Sequence, residues 1–151
     1  NLGKPSRSSD TTIVYVMARQ SPPQTVYVPV ERRIGTAGRE APLRTTLQEL
    51  AGGTTAREKQ AGCTSYFDST GPGVLRDLAL DGDEVTIDFK GEAMFALGAT
   101  TATSFFLGQL TRTVFRFPAI NSIRLELDGS CKKFGEAIQT LQCEMIRRDE
   151  R

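Results

Sequence analysis

Apolar residues recur at Ala99, Ala102, Phe106, Leu110, Val114 and Phe117. At 100° per residue they share one stripe, while Gly108, Thr111 and Arg112 point elsewhere. The spacing predicts a long helix with one face built for burial, which Pro118 forbids from continuing. Directly afterwards Ile123, Leu125 and Leu127 alternate with Arg124, Glu126 and Asp128 before Gly129 turns the chain, the period of a half-buried strand. Near the other end, Thr12–Met17 and Thr25–Val30 are dense in β-branched and aromatic residues and are separated by the breaker Ser21-Pro22-Pro23-Gln24. Two paired strands are predicted there, with Pro29 on an edge or on an unpaired side because it lacks an N–H.

Between these segments the periods alternate. Glu31-Arg32-Arg33-Ile34 leads into a Gly-rich bend, and Pro42 then suits the first turn of a helix carrying Leu43, Leu47 and Leu50 at helical spacing. Gly52-Gly53 stops that helix, and Thr55-Ala56-Arg57-Glu58 has the pattern of a capping box for a short second helix ending near Gly62. Ser69 to Gly73 is turn material. Leu78 and Leu80, then Val85, Ile87 and Phe89, alternate around Asp81-Gly82-Asp83-Glu84, the clearest hairpin signal in the chain. The predicted order is β-β-α-(α)-β-β-α-β. It describes an α+β two-layer sandwich with helices on one face of a mixed or antiparallel sheet.

Composition narrows the functions. The 151 residues, 38% of them apolar and 25% charged, suffice to bury a core without staples. With 19 basic against 18 acidic residues, the formal charge of +1 provides no global field for nucleic acid or anionic lipid. Histidine is absent, which removes the commonest general base and the commonest zinc ligand. No run of about 18 apolar residues occurs, and the first residues lack a signal-peptide layout, so the chain as given is expected neither to span nor to insert into a membrane. Cys63, Cys131 and Cys143 fit neither a zinc ribbon nor a CxxC site, and their number alone leaves their redox state open.

Candidate chemistry is correspondingly sparse. The acidic tip Asp81–Glu84 lacks the other ligands of a calcium loop and reads as a plain turn. No nucleophile elbow, dinucleotide fingerprint, P-loop or H-E-x-x-H occurs, and Gly35, Gly38, Gly71 and Gly73 read as loop glycines. Ser104 and the threonines around it have no base in sight. No catalytic residue, metal ligand or cofactor is therefore assigned. Arg32-Arg33, Arg147-Arg148, Arg112 and Arg116 are basic, but without interleaved aromatic residues they read as a solvated or ion-paired face and not as a nucleic-acid surface. Phe115 stands about 180° from the stripe centred on Phe106 and requires a cover. That cover is either a protein partner, with Phe115, Arg112 and Arg116 as partner-binding candidates, or the apolar residues Phe134, Ile138 and Leu141 of the tail.

From about Val26 to Gly129 the sequence resembles the GerMN domain family of bacterial sporulation, germination and envelope proteins. The resemblance rests on Val28-Pro29-Val30, on Pro42-Leu43-Arg44 with Leu47 and Leu50, and on Gly53-Thr54 with Glu58 and Gly62. It continues with Val85–Phe89, with Gln109-Leu110-Thr111 through Phe117-Pro118, and with Leu127-Asp128-Gly129. Gly53 lacks the proline that often follows in the family, and Phe89-Lys90-Gly91 departs from its pattern at the loop into the long helix. The resemblance implies an extracytoplasmic, non-catalytic domain, often lipid-anchored, that assembles with or docks onto other envelope proteins. The alternatives are a binder of small ligands or cell-wall fragments in a cleft between sheet and helices, and, third, a hydrolase. Residues 1–10 are then a flexible tether, 11–129 the domain and 130–151 an extension packed on it, with membrane contact only through an anchor absent from this chain.

In that setting Cys131 and Cys143 are expected to form a disulfide. Residues twelve apart on one helix lie about 18 Å apart, whereas bridged Cα atoms sit within about 7 Å. The spacing of Phe134, Ile138 and Leu141 can therefore be helical only in the middle of the loop, and the chain must double back before Cys143, pressing Phe134 and Ile138 against the domain and over Phe115. Cys63 is left as a buried free thiol beside Tyr66 and Phe67.

Overall fold

The computed structural model describes residues 11–18, 25–71, 73–94, 97–140, 142–143 and 145–148. The tether at residues 1–10, the breaker at residues 21–24 and Leu141 lie outside the described residues.

β1 (Thr11–Ala18) and β2 (Val26–Arg33) pair antiparallel with Tyr15 opposite Pro29, and the short β3 (Cys63–Thr64) completes a three-stranded sheet in the order β2-β1-β3. The N–H and C=O of Tyr15 bond to side chains on the side away from β2, so Tyr15 and Pro29 form a non-hydrogen-bonded pair. The nitrogen of Pro29 thus faces the open edge, where its missing proton costs no ladder bond. β2 runs on through Arg33, past the strand end expected at Val30. The glycines that follow form α1 (Gly35–Glu40), not a loop, because Gly35 takes a left-handed φ of 63° at its entry.

α2 (Pro42–Ala51) has its proline in the first turn and buries Thr46, Leu47, Leu50 and Ala51. In α3 (Ala56–Gln60) both halves of the expected capping box are made: Thr55 Oγ1 accepts from the Glu58 N–H at 3.2 Å, and Glu58 Oε1 accepts from the Thr55 N–H at 3.0 Å. A 3₁₀ turn, Tyr66–Ser69, follows β3.

The second sheet holds β4 (Leu75–Asp81), β5 (Glu84–Phe89), β6 (Ser122–Leu127) and β7 (Met145–Arg147), in that order. β4 and β5 form the hairpin around Gly82-Asp83, with Asp81 opposite Glu84. β5 and β6 are parallel, as a long crossover requires. That crossover contains α4 (Thr100–Val114). The architecture is α+β and mixed, with its strands divided between two sheets. Val85, Ile87, Ile123 and Leu125 of the central strands are at most 2% exposed and meet Phe106, Leu110 and Val114 of α4 in one core. Phe106 is its aromatic hub, with ring centroids 5.3 Å from Phe89, 5.4 Å from Tyr66, 5.8 Å from Phe67 and 5.9 Å from Phe134.

α4 ends at Val114, with Phe115 as its cap residue, three residues short of the apolar stripe that reaches Phe117. The helical wheel that placed Phe115 opposite the core therefore does not apply to it. In the tail, α5 (Cys131–Ala137) begins at the cysteine itself, capped by Ser130 Oγ, which accepts from the Lys133 N–H at 3.0 Å. The helix occupies the start of the loop and not its middle, because this cap fixes its first turn. The chain then reverses through Gln139, at φ 69°, and Cys131 and Cys143 are joined with their Cα atoms 5.0 Å apart. Gly135 makes the return possible, since a Cβ there would lie 1.9 Å from the carbonyl oxygen of Gln142. No helix among the described residues is long and apolar enough to cross a membrane.

Candidate functional site

Phe115, only 8% exposed, is covered by the tail through a residue that periodicity does not single out. The Arg148 guanidinium lies 4.8 Å from the Phe115 ring centroid and donates to the carbonyls of Phe115 at 2.8 Å, Phe117 at 2.9 Å and Ile120. Phe134, expected over Phe115, packs on Phe106 instead. The corrected picture is a core Phe115 under a cationic lid. Arg112 sits 4.1 Å over the ring of Tyr27 and donates to the Gly108 carbonyl at 3.2 Å, while Arg116 is exposed. The phenol of Tyr27 is pushed up by desolvation, which the Arg112 charge partly opposes. Its hydroxyl reaches the Ser104 carbonyl at 3.2 Å across Gly108, where a Cβ would stand 2.2 Å from that oxygen.

Arg32 is not part of a solvated face. It is 8% exposed, its guanidinium bonds to Glu58 Oε1 at 2.6 Å and to Oε2 at 3.0 Å, and it also reaches Glu49 and the Gly53 carbonyl. Such a fork holds β2, α2 and α3 together and leaves no cation for a ligand. Cys63 is half-buried, not fully buried, and is unpaired.

Two buried polar residues of α4 escape a hydrophobicity reading. Gln109, fully buried, donates to the Tyr15 carbonyl at 2.9 Å and to Ser65 Oγ at 3.0 Å and accepts from the Tyr66 N–H at 2.8 Å. Thr113 Oγ1, also fully buried, accepts from the Tyr15 N–H at 3.0 Å. α4 thereby satisfies the inner edge of β1 as a neighbouring strand would. A signal existed, because at 100° per residue these two lie only about 60° and 20° from Phe106, inside the apolar stripe.

The remaining candidate is a surface groove of about 410 Å³ between the start of α2 and β4. It is lined by Leu43, Leu78, Leu80, Phe117, Ala119 and Ile120, with Arg44 at its border. Leu80, which alternates with Leu78 in the hairpin pattern, is 59% exposed, because β4 is an edge strand and nothing among the described residues covers this end of it. A second hollow of about 440 Å³ lies by the start of α4, lined among others by Met17, Tyr66, Ser69, Thr101 and Phe105. The acidic tip is a turn: the Asp83 carbonyl accepts from the Asn121 N–H at 2.8 Å, and no cluster of metal-ligating groups occurs among the described residues.

This geometry defines a class: an α+β domain in which Arg32, Gln109 and Arg148 are engaged in holding the fold, and in which the described residues form two largely apolar surface hollows. The chain belongs to the Germane family, described as sporulation and spore germination, whose profile matches residues 13–132. Among solved structures, the tandem GerMN domains of the sporulation protein GerM from Bacillus subtilis align at 21% identity with a TM-score of 0.60, over 80% of this chain and 39% of that one. The first GerMN domain of the same protein aligns at 12% identity and a TM-score of 0.53, over 80% of this chain and 84% of that one. A chain from Clostridium perfringens described as a candidate lipoprotein aligns at 16% identity and a TM-score of 0.50, over 93% and 88%. At these identities the likeness bears on the fold. No curated protein matches.

Proposed function

We propose that this chain is a non-catalytic, extracytoplasmic module that docks onto other proteins of the bacterial cell envelope during sporulation or germination. The observation that carries this reading is the exposed apolar groove at Leu80 on a domain of a sporulation and germination family. The absence of histidine and the structural engagement of Arg32, Gln109 and Asp88, the last accepting from the Gly129 N–H at 2.9 Å, agree with a role outside catalysis. Amine-reactive crosslinking in the native cells, followed by affinity recovery and mass spectrometry, is expected to return the same few envelope proteins in replicate. Recovery of none, from a protein that also stays monomeric at high concentration, counts decisively against it.

A second reading, binding of a small ligand or cell-wall fragment, is favoured by the hollow beside α4, whose lining combines Ser69 and Thr101 with Tyr66 and Phe105. Titration with peptidoglycan fragments separates the two, since saturable heat from a fragment supports only the second.

A further inference from the structure

Asp81 and Glu84 close the hairpin around a two-residue turn, so they exchange their main-chain hydrogen bonds with each other. Leu80 and Leu78, opposite Val85 and Ile87, then turn their N–H and C=O away from β5, toward the free edge of the sheet. At Leu78 both groups are held locally: Asp77 Oδ1 accepts from its N–H at 2.9 Å, and Arg44 donates to its carbonyl at 3.4 Å. At Leu80 neither group has such a partner among the described residues.

α2 runs beside this edge and forms a cleft with it. Arg44 lines both hollows of the cleft, the apolar one of about 410 Å³ toward Leu80 and one of about 200 Å³ toward Gln48, Gly52 and Leu75. Among the described residues no carboxylate pairs with Arg44, whose single long bond is to a main-chain oxygen. A cation between an apolar hollow and a smaller mixed one, along an open strand, matches one kind of occupant.

We propose that the cleft between β4 and α2 receives an extended segment of a partner polypeptide, which adds as a fifth strand beside β4. Its apolar side chains, at alternate positions, fill the two hollows, and an Asp or Glu between them takes the Arg44 guanidinium and releases the Leu78 carbonyl for pairing. Seven residues of β4 offer roughly 23 Å, room for five to seven residues of partner. A second copy of this chain fits poorly in the register that pairs β4 over its full length. Antiparallel pairing of β4 with itself about Ala79 would set Asp77 opposite Asp81 twice, and like charges directly opposite destabilise a ladder.

The inference deepens the docking reading and rests on it. The test is an NMR titration of the isotope-labelled chain with the capped heptapeptide Thr-Val-Thr-Asp-Thr-Val-Thr, whose Val and Asp side chains share one face of a strand, beside the same peptide with Lys at its centre. The expected result is saturable shifts at the Leu78 and Leu80 amides and along α2, slowed exchange of the Leu80 amide, and at least tenfold weaker binding of the Lys peptide. Arg44→Glu should abolish the preference for Asp. Leu80→Pro deletes the outward N–H, which an edge strand tolerates, together with the isobutyl group; it should weaken binding at least tenfold, and more than Leu80→Ala, which keeps the N–H, in a spectrum that remains dispersed. Equal affinity for the two peptides, shifts confined to other faces, or no saturation at millimolar peptide overturns the proposal. Concentration-dependent shifts at Leu80 without peptide also overturn it, by showing that a second copy fills the edge. Crosslinked partners that map to another face sink strand addition and leave the docking reading standing.

Discussion

Gln109 satisfies three groups on two other segments. Gln109→Leu keeps the volume and orphans the Tyr15 carbonyl and the Tyr66 N–H, while Ser65 Oγ keeps the Phe67 N–H. A loss of about 3 kcal/mol is expected in urea unfolding, several times that of an exposed helix position. Arg148 is the corresponding single residue of the tail. Arg148→Ala should lower stability by about 2 kcal/mol and raise the binding of an apolar dye, because it uncovers Phe115 and strands the carbonyls of Phe115 and Ile120, while that of Phe117 keeps the Ile120 N–H. Arg148→Lys should rescue little, since an ammonium cannot lie flat on the ring while reaching carbonyls on two sides. A double-mutant cycle with Phe115→Leu measures the stacking share.

At the level of elements, the disulfide-closed tail carries its own test. Gly135→Ala places a methyl against the Gln142 carbonyl, a backbone atom that cannot swing aside, so the returning segment must move away from α5. Intact mass after alkylation without reductant should show three thiols blocked in a large share of the variant and one in the parent. Loss of the bridge alone should lower stability by about 3 kcal/mol. Elements of this kind were legible where a local rule acts alone. Thr55 and Glu58 announce their capping box, Pro42 its helix start, and Val85, Ile87 and Phe89 their buried face, because each signal lies within a few residues of its effect. β7 was not legible, as three residues hold no period, and its pairing depends on β6 some twenty positions earlier. Arg32 and Arg148 read as surface charge, because burial of a cation is decided by partners far along the chain. The groove stayed hidden for the same reason: Leu80 obeys the alternation of a core strand, and only the strand order places it outside.

On the scale of the whole molecule, one titration reports on the joint core. Tyr66 is 6% exposed, its hydroxyl contacts Met94 Sδ at 3.6 Å, and burial pushes its pKa up to about 12. The folded phenol therefore holds its proton between about pH 10 and 12, where the unfolded one has lost it. Stability is fully present below pH 10 and falls by about 1–3 kcal/mol as pH rises toward 12. Tyr66→Phe should flatten that alkaline limb of a urea-midpoint profile, and an unchanged slope would show that other groups govern it. The bonds between Tyr15 and α4 have a different consequence, one that belongs to synthesis. The partners of that strand edge are residues 94 and 98 positions downstream, so a chain emerging N-terminus first carries an uncovered β-branched edge until the helix follows. At about 5–20 residues per second the wait is on the order of 5–20 s, long enough for strands of neighbouring nascent chains to meet. A folding helper that shields the first hairpin should therefore raise the yield of this domain more than one that acts after release.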